Sequence, residues 1–240
     1  MDRAKIFRYE LRRVALSKPF IFITAVTLVY AAYLLKTEVM FGYADTAPFS
    51  PWSFLAYLCR LLPFLCAAML FFVSRQLAPR EKAVETLASA TPTPGYVRKG
   101  IKLGTIAVAF LCAALLVLLA YALFCVIQFQ YTGLGWMWPL AVLVVLPALF
   151  FYMGVGLWLG KVHHNLVYLL LALLFFAAFA GFSMPPAVDL FGNAILAGAQ
   201  SAALREGVIP FAVPAQYLVS RIVMGLAGLG LSAWACLVKG

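Results

Sequence analysis

Two arginines inside apolar stretches are the residues of this chain whose placement most strongly suggests chemistry. Arg60 lies about a third of the way into the apolar stretch 53–74, and Arg221 lies near the start of the stretch 217–238. Charged residues inside bilayer-spanning segments are costly, and they often mark a substrate or ion pathway. One interpretation is that both side chains extend to the outer lipid headgroups. The other is that they line an outer cavity and contact an anionic or lipid-like substrate.

Other reactive residue types do not form a recognisable catalytic or metal-binding group. His163 and His164 are adjacent, so on a helix they point about 100° apart and chelate poorly. Ser183, in the sequence GFSMP, lacks the second glycine of a nucleophile turn. The sequence GYVRKGIK at 95–102 lacks a lysine directly after its second glycine, as a phosphate-binding loop requires. We therefore predict no catalytic residue, no metal and no cofactor in this chain, and no enzyme activity of its own.

No Asp or Glu falls inside any of the predicted membrane spans. Proton- and sodium-coupled transporters commonly use an intramembrane carboxylate to bind the coupling ion. This pattern disfavours a self-powered secondary transporter, although it leaves that alternative and a channel open.

Composition indicates the class of protein that must position these residues. Of the 240 residues, 65% are hydrophobic and 11% are charged, against about 45–50% and about 25% in soluble domains. The chain is therefore predicted to be an all-α integral membrane protein. Its net charge of +10 does not indicate nucleic-acid binding, because the cations cluster beside the apolar stretches as topology signals do. All five cysteines lie within apolar stretches, and we interpret them as small packing residues.

Six apolar stretches are each long enough to span a bilayer as a helix. They cover residues 19–36, 53–74, 101–128, 136–160, 165–183 and 217–238. The connections alternate between basic and weakly charged, which predicts that both termini are cytoplasmic. The whole chain, 1–240, then forms one transmembrane domain. Its parts are the interfacial helix 1–18, two spans in 19–74, the cytoplasmic loop 75–100, three spans in 101–183, the outer loop 184–216 with one or two short helices, and the last span with the C-terminus, 217–240.

The N-terminal segment is predicted to be an amphipathic helix at the membrane surface. One face carries Phe7, Leu11 and Val14, and another carries Lys5, Arg8 and Arg12. Such a helix lies in the headgroup plane with its apolar side towards the lipid. The alternative is that the segment is only a positive-inside signal.

The connection between the second and third stretches is a charged island. From 75 to 102 it carries six Lys or Arg residues and two acids. It is long enough for a short helix, which Pro92 and Pro94 would end. This predicts a folded, charged element at the cytoplasmic face, where a soluble partner could press on it.

This layout resembles the permease subunit of ABC transporters of the ABC-2 type, the type V exporter fold. The likeness rests on the basic helix that enters the first span in ELRRVALSKPF, 10–20, and on the loop PREKAVETLASATPTPGYVRKG, 79–100. Six spans with both ends inside, and a long outer loop before the last span, complete it.

The resemblance implies that this chain pairs with a second permease, identical or homologous, in the bilayer. Two ABC ATPase subunits that bind ATP and Mg²⁺ would dock beneath the pair. A coupling helix at about 80–91 would contact them through Arg80, Glu81, Lys82, Glu85, Thr86, Leu87 and Pro92. The implied function is export of a hydrophobic or amphipathic substrate (peptide, lipid or drug-like) across a bacterial plasma membrane. The alternatives are a non-catalytic scaffold or assembly subunit, a secondary transporter or channel, and, least favoured, an intramembrane enzyme.

Overall fold

The described part of the chain is entirely helical in its regular elements. The computed structural model describes residues 3–77, 94–179, 189, 191–206 and 210–237. Within them lie helices α1 (Arg3–Ala15), α2 (Lys18–Leu34), α3 (Pro51–Gln76), α4 (Gly95–Phe129), α5 (Met137–Val162), α6 (Asn165–Phe179), α7 (Asn193–Glu206) and α8 (Ala215–Leu237). A π-helical turn, Leu35–Val39, continues α2, and a 3-10 turn, Leu134–Trp136, precedes α5.

Five of these helical segments are long and apolar enough to cross a membrane, as expected for an all-α multi-pass membrane protein. They are Lys18–Val39, Pro51–Gln76, Gly95–Phe129, Leu134–Val162 and Ala215–Ala235. The predicted span 165–183 corresponds to α6, whose described part has 15 residues. The end of that stretch, 180–183, lies outside the described residues, so the count of six spans stays a prediction. The short helix expected in the outer loop is present as α7.

Serine–proline pairs determine where two of the long helices begin. Ser17 caps α2 by accepting the Phe20 N–H at 3.4 Å, with Pro19 in the first turn. Ser50 caps α3 by accepting the Ser53 N–H at 3.2 Å, with Pro51 as the first helical residue. A serine oxygen satisfies an N–H that the first turn leaves unpaired, and proline lacks such an N–H.

Helix α3 is the centre of the bundle. It is buried over most of its length and contacts α2, α4, α5, α6 and α7. A helix that is apolar on all sides is suited to such a position. Among its buried polar groups, the Tyr57 hydroxyl is satisfied by donating to the Val117 carbonyl at 3.0 Å.

Helices α5 and α8 share the most extensive contact in the described structure. A Cβ added at Gly154 would lie 2.9 Å from the Gly228 Cα, and one added at Gly228 would overlap the backbone of Phe150 and Phe151. Small residues allow helices to approach this closely when packing drives association. Gly154 of α5 and Gly228 of α8 therefore bring these two helices into close contact within one chain.

Two other glycines of α5 pack mainly against the end of α3. A Cβ at Gly156 would meet Leu70 at 2.7 Å, and the space beside Gly160 is filled by Leu77 and Val167. On α5, Gly154 thus packs against α8, whereas Gly156 and Gly160 pack against the end of α3 and the start of α6.

Candidate functional site

Arg221 is fully buried in the bundle, with no exposed surface. Its Nη2 donates to the backbone carbonyl of Asp189 at 2.9 Å. Its guanidinium carbon lies 4.3 Å from the centre of the Tyr217 ring, one turn earlier on α8. Guanidinium groups are stabilised over aromatic faces, and more strongly where water is excluded. This arginine is therefore part of the protein interior rather than extended to headgroups.

Asp189 lies four residues before the start of α7 and is also buried, at 3% exposure. One carboxylate oxygen accepts the N–H groups of Phe191 at 3.1 Å and Gly192 at 2.9 Å, and the other accepts the N–H of Ala194 at 2.7 Å. A carboxylate is favourable at a helix N-terminus, where unpaired N–H groups carry partial positive charge. Because Arg221 holds the same residue's carbonyl, Asp189 links α7 to α8.

We call Arg221, Asp189 and their contacts Tyr217, Phe191 and Gly192 the Arg221–Asp189 cluster. Helix α3 packs against this cluster. Gly192 has φ +90°, and a Cβ there would lie 2.6 Å from the Cys59 Sγ. The turn before α7 thus needs glycine both for its backbone and for its approach to α3. Phe191 also stacks on Tyr152 of α5, with ring centres 6.1 Å apart and planes at 10°. The cluster therefore ties α3, α5, α7 and α8 together.

The loop between α2 and α3 is ordered by hydrogen bonds near the same end of the bundle. The Ser53 hydroxyl accepts the Tyr43 N–H at 3.0 Å, and the Tyr121 hydroxyl donates to the Pro48 carbonyl at 3.0 Å. Burial raises the pKa of Tyr43 to about 12, with a smaller contribution from the charge of Cys59. This phenol therefore stays neutral at ordinary pH.

Arg60 lies next to Cys59 on α3 but faces outward, and its side chain is 43% exposed. It forms an ion pair with Glu38. Glu38 belongs to the π-helical turn that extends the first predicted span beyond residue 36 to Val39. The prediction that no acid lies within a span was therefore wrong at this end, because the first helix continues for three more residues.

An apolar groove of about 510 Å³ runs along α2 and α3 near this pair. Phe64, one turn from Arg60, lies against Tyr30 with ring centres 4.6 Å apart. On its other side Phe64 meets Phe175 of α6 at 5.5 Å. The groove is lined by apolar and aromatic side chains: Phe22, Ala25, Val26, Val29, Tyr30, Tyr33 and Phe64. The Arg60–Glu38 pair lies on the same two helical segments but does not line it.

The two arginines, for which lining an outer cavity was one of two interpretations, thus lie in different surroundings. Arg60 is half exposed beside the groove, whereas Arg221 is enclosed in the cluster. Sequence reasoning missed their partners, Glu38 and Asp189. For Asp189 a signal was present, because an acid a few residues before a run of small helix-forming residues is typical of a helix cap.

The N-terminal helix has the predicted division of faces. Lys5, Arg8 and Arg12 are exposed, while Phe7, Leu11 and Val14 are half-buried. However, part of the apolar face packs against protein: α1 contacts α4, and the Phe7 ring lies 3.4 Å from where a Cβ of Gly104 would be. We expected this face to lie towards lipid.

The residues predicted to contact an ATPase lie outside the described residues: Arg80, Glu81, Lys82, Glu85, Thr86, Leu87 and Pro92. The structure does describe both ends of their segment. Helix α3 ends at Gln76 and α4 begins at Gly95, and the Gln76 amide donates to the Lys102 carbonyl at 3.0 Å.

The described residues include no group of three His, Cys, Asp or Glu side chains placed to hold a metal ion. The Arg221–Asp189 cluster is held by backbone hydrogen bonds and ring contacts, which suits holding helices together. Comparisons of the chain with protein-family models, curated proteins and solved structures gave no match.

Proposed function

We propose that this chain is the membrane-spanning permease subunit of an ATP-driven ABC transporter and depends on a separate ATPase. The observation that carries the proposal is the way the segment between α3 and α4 is anchored. The last residue of α3, Gln76, is bonded to the Lys102 carbonyl about two turns into α4. Helix α1 also contacts α4, with Phe7 beside Gly104. A force applied to this segment therefore acts on three helices at once.

The position of α3 gives that force a route into the bundle. Because α3 is the buried centre, its inner end cannot move without α2, α5 and α6 responding. Docking of an ATPase on the predicted coupling helix at 80–91 would use α3 and α4 as levers. ATP and Mg²⁺ would be held by the partner ATPase, and this chain would supply no catalytic group.

The proposal includes six spans with both termini on the cytoplasmic side of a bacterial plasma membrane. The arrangement of basic residues supports the placement of one end of the helix bundle at the cytoplasmic face. Arg13, Arg75 and Lys102 meet at one cavity. At the C-terminal ends of α5 and α8, Lys161 lies 5.1 Å from the Trp234 ring centre. These are the ends that the charge pattern predicts to be cytoplasmic.

The groove, with the Arg60–Glu38 pair on the same two helical segments, supports a hydrophobic or amphipathic cargo. Its aromatic side chains suit an apolar body, and the ion pair suits a polar or charged end. A peptide, lipid or drug-like molecule has this combination. We propose export as the direction, with a second permease, identical or homologous, completing the pathway.

Affinity purification of the tagged chain from its native membranes, with mass spectrometry of the co-purifying proteins, tests this function. We expect a stoichiometric ATPase with Walker motifs. If the intact, monodisperse chain reproducibly lacks such a partner, the transporter proposal fails and a scaffold subunit replaces it.

A second experiment tests the coupling helix. The double variant Glu85→Ala/Leu87→Ala should reduce substrate-stimulated ATPase activity of the reconstituted complex without lowering the yield of folded chain. Gln128→Ala/Thr132→Ala is a matched control, because both residues are exposed at the opposite end of α4. Unchanged stimulation in the first variant would remove Glu85 and Leu87 from the proposed contact.

A further inference from the structure

The short turn between α5 and α6 is organised by one residue, His163. Helix α5 ends at Val162 and α6 begins at Asn165. His163 has extended backbone angles, φ −157° and ψ 130°, so its backbone belongs to neither helix. Its N–H donates to the Leu159 carbonyl of α5 at 2.9 Å, and its own carbonyl accepts the Leu166 N–H of α6 at 3.0 Å. His163 therefore caps the end of one helix and the start of the next.

The imidazole of His163 completes the cap on α6. Its Nδ1 accepts the Asn165 N–H at 3.3 Å. This is the pattern of a helix N-cap, in which a residue with an extended backbone uses a side-chain acceptor to bind an N–H of the first turn. An imidazole nitrogen accepts a hydrogen bond only when it carries no proton. The cap therefore requires the neutral ring, with its proton on Nε2.

Protonation of this ring would make the contact repulsive. Both ring nitrogens of an imidazolium are donors, so the Nδ1–H would face the Asn165 N–H. The new positive charge would also lie at a helix N-terminus, where unpaired N–H groups already carry partial positive charge. Histidine is the side chain whose charge ordinarily changes between pH 5 and 8. The cap is thus present above this range and is lost as the pH falls through it.

The surroundings of the turn offer no carboxylate to hold a protonated ring. Helices α3, α5, α6 and α8 pack together around this end, and their described residues include no Asp or Glu. The cation of α3 at this end, Arg75, lines the cavity that α3 shares with α1 and α4. The titratable groups nearest to His163 along the chain are Lys161 of α5, His164 and Tyr168, and the last two rings meet edge to face at 5.4 Å.

We propose that His163 is a pH-dependent cap, which holds the first turn of α6 when neutral and releases it when protonated. That turn carries Val167, a buried side chain that fills the space beside Gly160 together with Leu77 at the end of α3. Acidification on the side that this turn faces would therefore loosen α6 from the end of α3. The inference does not depend on the proposed transport function, because every residue involved belongs to this chain.

Hydrogen–deuterium exchange of the full-length chain in a non-ionic detergent tests the proposal. Exchange of residues 165–167 is measured at pH 8 and pH 5.5 and divided by the rates of an unstructured peptide of the same sequence, which removes the intrinsic effect of pH. The protection of these N–H groups should fall about fivefold at pH 5.5, the factor that a typical cap contributes.

Three variants identify the group responsible. His163→Asn keeps a capping acceptor that does not titrate, so its protection should not fall at pH 5.5. His163→Ala should show the lower protection at both pH values; the side chain is exposed, so both variants should fold. His164→Gln is the matched control, because the His164 Nδ1 accepts no hydrogen bond within the described residues, and it should keep the fivefold fall.

The protonation of the ring can be observed directly. The chain has two histidines, so ¹⁵N-histidine labelling of the untagged His164→Gln variant gives the NMR signals of His163 alone. We expect Nδ1 to lack a proton at pH 8 and to carry one at pH 5.5. A protonated Nδ1 at pH 8, an equal fall in protection in His163→Asn, or loss of the fall in His164→Gln would each overturn the proposal.

Discussion

The glycine at 228 gives the sharpest test of how this bundle is held together. In Gly228→Ala the new Cβ would overlap the backbone of Phe150 and Phe151 on α5. Backbone atoms of a helix cannot rotate away as a side chain can. Helices α5 and α8 would therefore have to separate along the most extensive contact of the described structure.

Two opposing contributions determine the size of the effect. Alanine favours a helix over glycine by about 1 kcal/mol, while overpacking of a close contact costs about 1–3 kcal/mol. The neighbours here are backbone atoms, so we take the upper part of that range. We expect Gly228→Ala to lower the free energy of unfolding by about 1–2 kcal/mol.

Gly230→Ala on the same helix is the matched control, because a Cβ there meets nothing within 4 Å. It should be neutral or stabilise the protein by up to about 1 kcal/mol. Unfolding in mixed micelles by SDS titration, followed by tryptophan fluorescence, measures both variants. If Gly228→Ala is as stable as Gly230→Ala, the proposed backbone contact between α5 and α8 is refuted.

Two further predictions concern the charged residues of the candidate site. Asp189→Ala should lower the free energy of unfolding by about 2 kcal/mol, because two N–H groups in the turn before α7 and one in its first turn lose their acceptor; Asp189→Asn, which keeps one oxygen, should cost less in the same SDS titration, and equal losses would argue against this role of the carboxylate. Glu38→Gln should destabilise more than Glu38→Gln/Arg60→Gln, because the single change leaves a half-exposed arginine of α3 without its carboxylate partner; a coupling energy near zero in a double-mutant cycle would mean that the pair contributes nothing to stability.

Much of the secondary structure was predictable because its causes are local. The stretch predicted as 53–74 is observed as Pro51–Gln76, and Ser50 with Pro51 accounts for its start. The amphipathic division of α1 was also predictable, since it depends only on which residues recur with the helical period. The end of α2 was not, because the π-helical turn carries a polar sequence that average hydropathy excludes.

The amino-acid sequence alone predicts that long apolar helices exist, where most of them begin, and which end of each is basic. It does not predict that Arg221 contacts Asp189, 32 residues away, that Gly228 contacts Gly154, or that Arg13, Arg75 and Lys102 line one cavity. Hydropathy and capping act between residues close in the chain. Which helix faces pack together depends on shape and charge across the whole bundle, and these pairs share no local pattern.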